Sequence, residues 1–170
     1  MKTALLVIDM QNDYLWEKRK ARFAYDTEAL TSAVNALIRR YAGEGADVFY
    51  IRHIIQNLPT NRLLFGYSIA GTEGAELYSG LERVNDEHYD KLVGDALTNR
   101  SLLERIRAGG YEELHLCGLD EFGCVANTAL GASKRGIKAR ILREGTATVM
   151  PEGKAAKMKA KLQAAKIEYI

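Results

Sequence analysis

Four short stretches of the chain are almost continuously apolar: Thr3–Ile8, Ala46–Arg52, Glu113–Cys117 and Ile137–Leu142. Each is rich in Val, Ile or Leu and lacks clean alternation of apolar and polar residues. That is the pattern of strands covered on both faces. Tyr89–Leu92 is a candidate for a further short strand. Between these runs the period changes. In Asp26–Tyr41 the apolar residues Leu30, Val34, Leu37, Ile38 and Tyr41 fall at i, i+4, i+7, i+8 and i+11, which is one face of a helix. Gly43 and Gly45 punctuate its end. Helices are also expected at Asn99–Ala108, closed by Gly109-Gly110, at Cys124–Lys134 before Gly136, and at Glu152–Lys166. Strands that alternate with helices pair in parallel through right-handed crossovers. The expected fold is α/β, a three-layer doubly wound sheet with helices on both faces. His53–His88 is too long and irregular for an ordinary connection and is expected to form loops and short helices over the site.

Composition narrows the class. At 170 residues the chain fits a single domain, 1–170, and its 47% hydrophobic content suffices for a sizeable core. The 24 basic and 22 acidic residues nearly balance, so no nucleic-acid partner is expected. The lysines of the last helix (Lys154, Lys157, Lys159, Lys161, Lys166) read as a solvated face rather than a basic arm. No apolar run reaches the roughly 18–20 residues of a membrane span. Met1-Lys2-Thr3 leads into only Ala4–Ile8 before Asp9, too short for a secretory leader. Two cysteines cannot build a disulfide scaffold. A cytoplasmic protein without a membrane partner is expected.

In an open parallel sheet, ligands bind beyond the carboxyl ends of the strands. Asp9 directly follows the first run and lies at that edge; it could equally cap a turn. Cys124 opens a predicted helix, where the macrodipole and unpaired amides favour a thiolate. A free cysteine is also an ordinary small buried hydrophobe, which is the better reading of Cys117. Lys91 closes the candidate short strand, but spacing alone does not distinguish it from a surface lysine.

Four motifs bring these three residues together. They are Leu6-Val7-Ile8-Asp9-Met10-Gln11-Asn12-Asp13-Tyr14; Gly71-Thr72-Glu73-Gly74-Ala75-Glu76-Leu77; Lys91 followed by Asp95-Ala96-Leu97 and Leu102; and Gly118-Leu119-Asp120-Glu121-Phe122-Gly123-Cys124-Val125 with Thr128-Ala129. In this order, from about residue 3 to 150, the chain resembles the isochorismatase-like cysteine hydrolases, which include nicotinamidases, N-carbamoylsarcosine amidases and isochorismatases. The resemblance implies Cys124 as nucleophile, Asp9 as general base and Lys91 as the cation that holds Asp9 ionised and steadies the thiolate. It implies a cis peptide at Leu119-Asp120 that turns the Asp120 amide towards the Cys124 amide as an oxyanion hole. The expected activity is cleavage of a C–N bond in a small amide or ureido substrate through a thioester. The alternatives are vinyl-ether hydrolysis of the isochorismatase type and a non-catalytic ligand-binding member. A redox sensor using Cys117 and Cys124 lacks a Cys-x-x-Cys motif. The family also often forms dimers or tetramers, so self-association is expected.

The chain departs from the family in two places. Glu121 stands where the family usually has Thr, and a carboxylate beside an oxyanion hole must turn away or pair. Nicotinamidases usually carry Asp-x-His near the end of the second strand as part of a metal site; here the segment reads Ile51-Arg52-His53. His88 and His115 are the only other histidines. No metal and no cofactor are expected. Tyr14, Trp16, Glu121 and Phe122 are candidate substrate contacts. Arg52 and His53 are candidates for a substrate carboxylate or for a surface role.

Overall fold

The computed structural model describes residues 2–170. Strand β1 (Thr3–Ile8) leads into a single helical turn, α1 (Asn12–Leu15), and then α2 (Thr27–Gly43). β2 (Asp47–His53), α3 (Pro59–Leu64) and β3 (His88–Lys91) follow, and then α4 (Arg100–Ala108) and β4 (Glu113–Gly118). The chain ends with α5 (Ala126–Lys134), β5 (Lys138–Thr146), α6 (Glu152–Ala164) and β6 (Glu168–Tyr169). The six strands form one sheet in the order β3-β2-β1-β4-β5-β6, and every neighbouring pair is parallel. No described helix is long and apolar enough to cross a membrane.

The continuous apolar runs have a direct cause. Successive side chains of a strand point to opposite faces. In β1, Ala4, Leu6 and Ile8 enter a core with Leu102, Ile106, Ala129 and Leu162 from α4, α5 and α6. Leu5 and Val7 enter the opposite core with Leu30, Val34, Leu37 and Ile38 of α2. Both faces are therefore dry, and each fully buried Leu, Ile or Val contributes about 1.5–3 kcal/mol. Helix starts follow local chemistry. The Asp26 side chain accepts from Ala29 N–H (3.0 Å) and Asn99 accepts from Leu102 N–H (2.9 Å), capping α2 and α4.

Three expectations need correction. A sixth strand exists: the last helix stops at Ala164, Lys166 takes a positive φ of 55°, and Glu168–Tyr169 pairs with Arg140 and Ile141. Two residues are too few to carry a period. β5 continues to Thr146, four residues beyond its apolar run, through an irregular register between Leu116 and Gly118 of β4. The helix expected to open at Cys124 is preceded by a wide turn, Glu121–Val125, kinked at non-helical Gly123 (φ −101°, ψ −112°), and regular α-helix begins at Ala126. The 53–88 segment holds only α3, a 3-10 turn at Glu73–Ala75 and two isolated bridges, as its irregular pattern suggested.

The sheet order reverses direction between β1 and β4, and a doubly wound sheet opens its crevice at that point. The two strand ends approach closely there. Gly118 has φ 107°, and a Cβ on it would stand 2.0 Å from the Ile8 carbonyl oxygen, so only glycine fits.

Candidate active site

Three strand ends and one turn converge above this crevice. Asp9 follows β1 with φ 54°, a left-handed conformation that Asp tolerates better than most residues. Lys91 ends β3, and the register places it directly beside His53 at the end of β2. Cys124 comes from the kinked turn after β4. The Lys91 side chain is wholly buried, and its ammonium lies 2.9 Å from Asp9 Oδ2, 3.1 Å from Cys124 Sγ and 3.3 Å from His53 Nδ1. The second Asp9 oxygen, Oδ1, is buried without a hydrogen-bond partner.

The residues around Asp9 hold this geometry. Buried Gln11 donates from Nε2 to the carbonyls of His53 (3.0 Å) and Ala75 (2.7 Å) and accepts from His53 N–H (2.8 Å). Asn12 donates to the Glu73 carbonyl (2.8 Å) and accepts from Ser79 N–H (3.2 Å). Asp13 accepts from Ser68 N–H (2.7 Å) and lies against Gly74, where a Cβ would stand 2.1 Å from its Oδ1. The first two motifs are thus clamped to each other across the mouth of the crevice.

The turn before Cys124 is fixed by Asp120. Its carboxylate accepts from the Tyr25 hydroxyl (2.9 Å), the Thr148 hydroxyl (2.6 Å), Val149 N–H (2.8 Å) and Phe122 N–H (3.1 Å). Its carbonyl accepts from Gly123 and Val125 N–H (3.0 and 3.1 Å), and Glu121 N–H reaches the Ala147 carbonyl (2.9 Å). The two amides of the turn outside this set are those of Asp120 and Cys124. The Leu119-Asp120 peptide is cis.

The charges differ from the simplest expectation. Burial and the Asp9 carboxylate push the Cys124 thiol up to about 12, although Lys91 pulls it down. The resting group is a thiol rather than the expected thiolate. The physical reason is burial first, which disfavours the charged sulfur, and then the Asp9 carboxylate close by. Burial opposes the Lys91 charge, but Asp9 and Cys124 outweigh it and raise its pKa. Burial and Lys91 lower the pKa of His53, which is therefore neutral at pH 7.

Above these groups lies a cavity of about 220 Å³, lined by Asp9, Tyr14, Phe23, Tyr25, His53, Tyr67, Leu119, Asp120, Gly123 and Cys124. Tyr14, Phe23 and Tyr67 pack edge to face, with ring centroids 4.9–5.9 Å apart. Tyr14 is fixed by a 2.7 Å bond between its hydroxyl and Ser68.

Asp9, Lys91 and Cys124 are therefore brought together, and Tyr14 reaches the cavity. The other candidate contacts do not. Trp16 sits beneath Lys18, 5.1 Å from its ammonium, outside the cavity. Glu121 does not line the cavity, and burial and the nearby Glu121 carboxylate raise the pKa of the Tyr169 hydroxyl in β6. Phe122 packs on the core beneath α4 and α5. Arg52 is engaged by Asp90 (2.7 and 3.0 Å) and Glu76 (2.6 Å), so it is not free for a substrate carboxylate. Phe23, Tyr25 and Tyr67 were missed. They come from loops whose only signal in the sequence was a local density of aromatic residues.

A metal at this site would need the donors Asp9, His53 and Cys124, whose ligand atoms lie within 4.8 Å of one another. Each of the three is already in contact with the Lys91 ammonium, which would repel a dication at bonding distance. The family's carboxylate two residues before His53 is replaced by wholly buried Ile51. The residues present do not fit a metal.

The model of the Isochorismatase domain matches residues 3–166. The chain belongs to the isochorismatase family. An uncharacterized isochorismatase family protein of Bacillus subtilis is 28% identical over 149 residues, 87% of this chain and 79% of that one. A probable inactive nicotinamidase of Arabidopsis thaliana is 26% identical over 167 residues, covering 88% and 83%. Among solved structures, the nicotinamidase/pyrazinamidase PncA of B. subtilis superposes with a TM-score of 0.83 at 25% identity, covering 99% of both chains. N-carbamoylsarcosine amidase from Thermoplasma acidophilum shares the fold, with a TM-score of 0.82 at 21% identity over 99% of this chain and 95% of that one. Within this isochorismatase-family fold, Asp9, Lys91 and Cys124 occupy the crevice between β1 and β4.

Proposed function

We propose that the chain is a cysteine amidohydrolase that cleaves the C–N bond of a small, uncharged carboxamide. One observation carries this reading: a buried ammonium bridges Asp9 Oδ2 and Cys124 Sγ, two residues that line an aromatic cavity. The likeness to a protein described as a nicotinamidase/pyrazinamidase supports an amide borne on a planar ring, and the edge-to-face rings of Tyr14, Phe23 and Tyr67 offer such a ring matching surfaces.

In this mechanism Asp9 takes the Cys124 proton as Sγ forms its bond to the carbonyl carbon. A raised thiol pKa makes a base in contact with the sulfur necessary. Lys91 meets the negative charge that develops on sulfur. The carbonyl oxygen becomes an oxyanion, which the Asp120 and Cys124 N–H groups receive. Asp9 then gives its proton to the nitrogen as the C–N bond breaks, releasing ammonia and leaving a thioester. Water enters, loses a proton to Asp9 and attacks the thioester. The C–S bond breaks, and Asp9 returns the proton to sulfur.

The test is ammonia release from a panel of aliphatic, ureido and aromatic carboxamides, with Cys124→Ala as control. Release that depends on Cys124 and is fastest for ring-borne amides is expected. Turnover unchanged in Cys124→Ala, or pyruvate released from an enol-ether substrate with no amide cleaved, would overturn the reading.

A further inference from the structure

We propose that His53 is a specificity-determining residue, whose Nε2–H donates directly to a neutral lone-pair acceptor on the ligand. The proposal deepens the amidohydrolase reading above and rests on its assignment of the cavity as the substrate site.

A lysine ammonium has three N–H donors and no acceptor. The three polar side-chain atoms around Lys91 Nζ are Asp9 Oδ2 at 2.9 Å, Cys124 Sγ at 3.1 Å and His53 Nδ1 at 3.3 Å. Each must accept. His53 Nδ1 therefore presents its lone pair to Lys91, and in a neutral ring the single proton is then on Nε2. Burial and the neighbouring ammonium both disfavour a second ring proton. Nε2 has no hydrogen-bond partner among the described residues, and His53 lines the cavity.

The donor is also preorganised. Gln11 holds both the N–H and the carbonyl of His53, and the strand register holds His53 beside Lys91. A donor fixed in this way discriminates more sharply than one that must be ordered on binding. No Lys or Arg is among the lining residues, and Arg52 is engaged elsewhere. The matching acceptor is thus a neutral one, such as a ring nitrogen, rather than a carboxylate. The same ammonium that excludes a cation from the three donors sets the tautomer that makes His53 a donor.

The test has two arms. In the first, benzamide and pyrazine-2-carboxamide are titrated calorimetrically into the Cys124→Ala protein, where no turnover occurs. The ring-nitrogen probe is expected to bind about five- to tenfold more tightly, the value of one neutral hydrogen bond. His53→Phe in the same background should erase the difference, and His53→Gln, which keeps a donor, should restore part of it. In the second, nitrogen-15 NMR of the unmodified chain reads the tautomer: a protonated Nε2 and an unprotonated Nδ1 are expected. Equal affinity for the two probes, a difference that survives His53→Phe, or a protonated Nδ1 would overturn the proposal. Amide turnover without the affinity difference defeats this proposal alone. The affinity difference without turnover defeats the hydrolase reading alone.

Discussion

Buried charge collects at both ends of the sheet, and the two collections behave differently. At the amino end, Glu113 opens β4 with its side chain only 2% exposed. It faces His115 Nε2 (2.6 Å), Lys138 (3.1 Å) and Arg140 (3.0 Å), and the last two are themselves partly exposed to water. Both carboxylate oxygens meet a basic group. At the carboxyl end, Asp9 meets a wholly buried ammonium through one oxygen and leaves the other unpartnered. In the first cluster both carboxylate oxygens face cations that are hydrated at their edge, although Glu113 Oε2 and Arg140 Nε lack hydrogen-bond geometry, and Glu113 lines no cavity. The second is dry, and its Asp9 Oδ1, Cys124 Sγ and His53 Nε2 retain capacity to bond. Buried charge alone therefore does not mark a site. Unsatisfied capacity facing a cavity does.

The comparison can be broken first at the reacting atoms. Cys124→Ala and Asp9→Asn should each lower kcat/KM by about 10⁴-fold or more while leaving the circular dichroism spectrum intact, because residues that act as a unit fail together. Lys91→Met should remove activity and also destabilise the fold by about 3–5 kcal/mol, since it strands a buried carboxylate. Thermal melting checks this, and a Lys91→Met protein with native stability would show that the Asp9–Lys91 pair is not a buried ion pair in solution.

Glu113→Gln tests the opposite end. A stability loss of about 1–3 kcal/mol with unchanged kcat is expected. His115, Lys138 and Arg140 lower the Glu113 pKa against the opposing effect of burial. A depressed carboxyl pKa stabilises the fold above the unfolded value of about 4.3 and loses that contribution as the pH falls through the folded value. The gap between wild type and Glu113→Gln in urea melts should therefore be full near pH 6 and close below pH 4.

The smallest effect is a shift of a reaction profile. With the thiol pushed up to about 12, alkylation of Cys124 by iodoacetamide should still be rising at pH 10. Asp9→Asn removes a neighbouring negative charge and should move the profile to lower pH. Lys91→Met removes a cation and should move it higher. Mass spectrometry separates Cys124 from Cys117, whose thiol burial holds above the ordinary range.

Much of the framework was legible in the chain. Apolar runs located four strands within a few residues because both faces of the sheet are buried, the candidate strand Tyr89–Leu92 fell one residue from β3, and the position of Asp9 at the end of one run marked the crevice. Polar extensions were hidden. Arg143, Glu144 and Gly145 belong to β5 through its register with β4, and Glu168–Tyr169 is a strand only because β5 lies beside it.

By itself, then, the sequence determined the alternation of strands and helices, the doubly wound order that follows from it, and the four motifs that carry Asp9, Lys91 and Cys124. Short-range periodicity and chain connectivity suffice for those. The tertiary structure alone decided which aromatic residues wall the cavity, that Trp16, Glu121, Phe122 and Arg52 face elsewhere, and that Lys91 has three acceptors. It also decided the burial and neighbouring charges of Cys124 and the ammonium that His53 Nδ1 faces. These depend on burial and on charges brought within about 3 Å from strands far apart in the chain, and interactions at that range are set by packing rather than by any local pattern of residues.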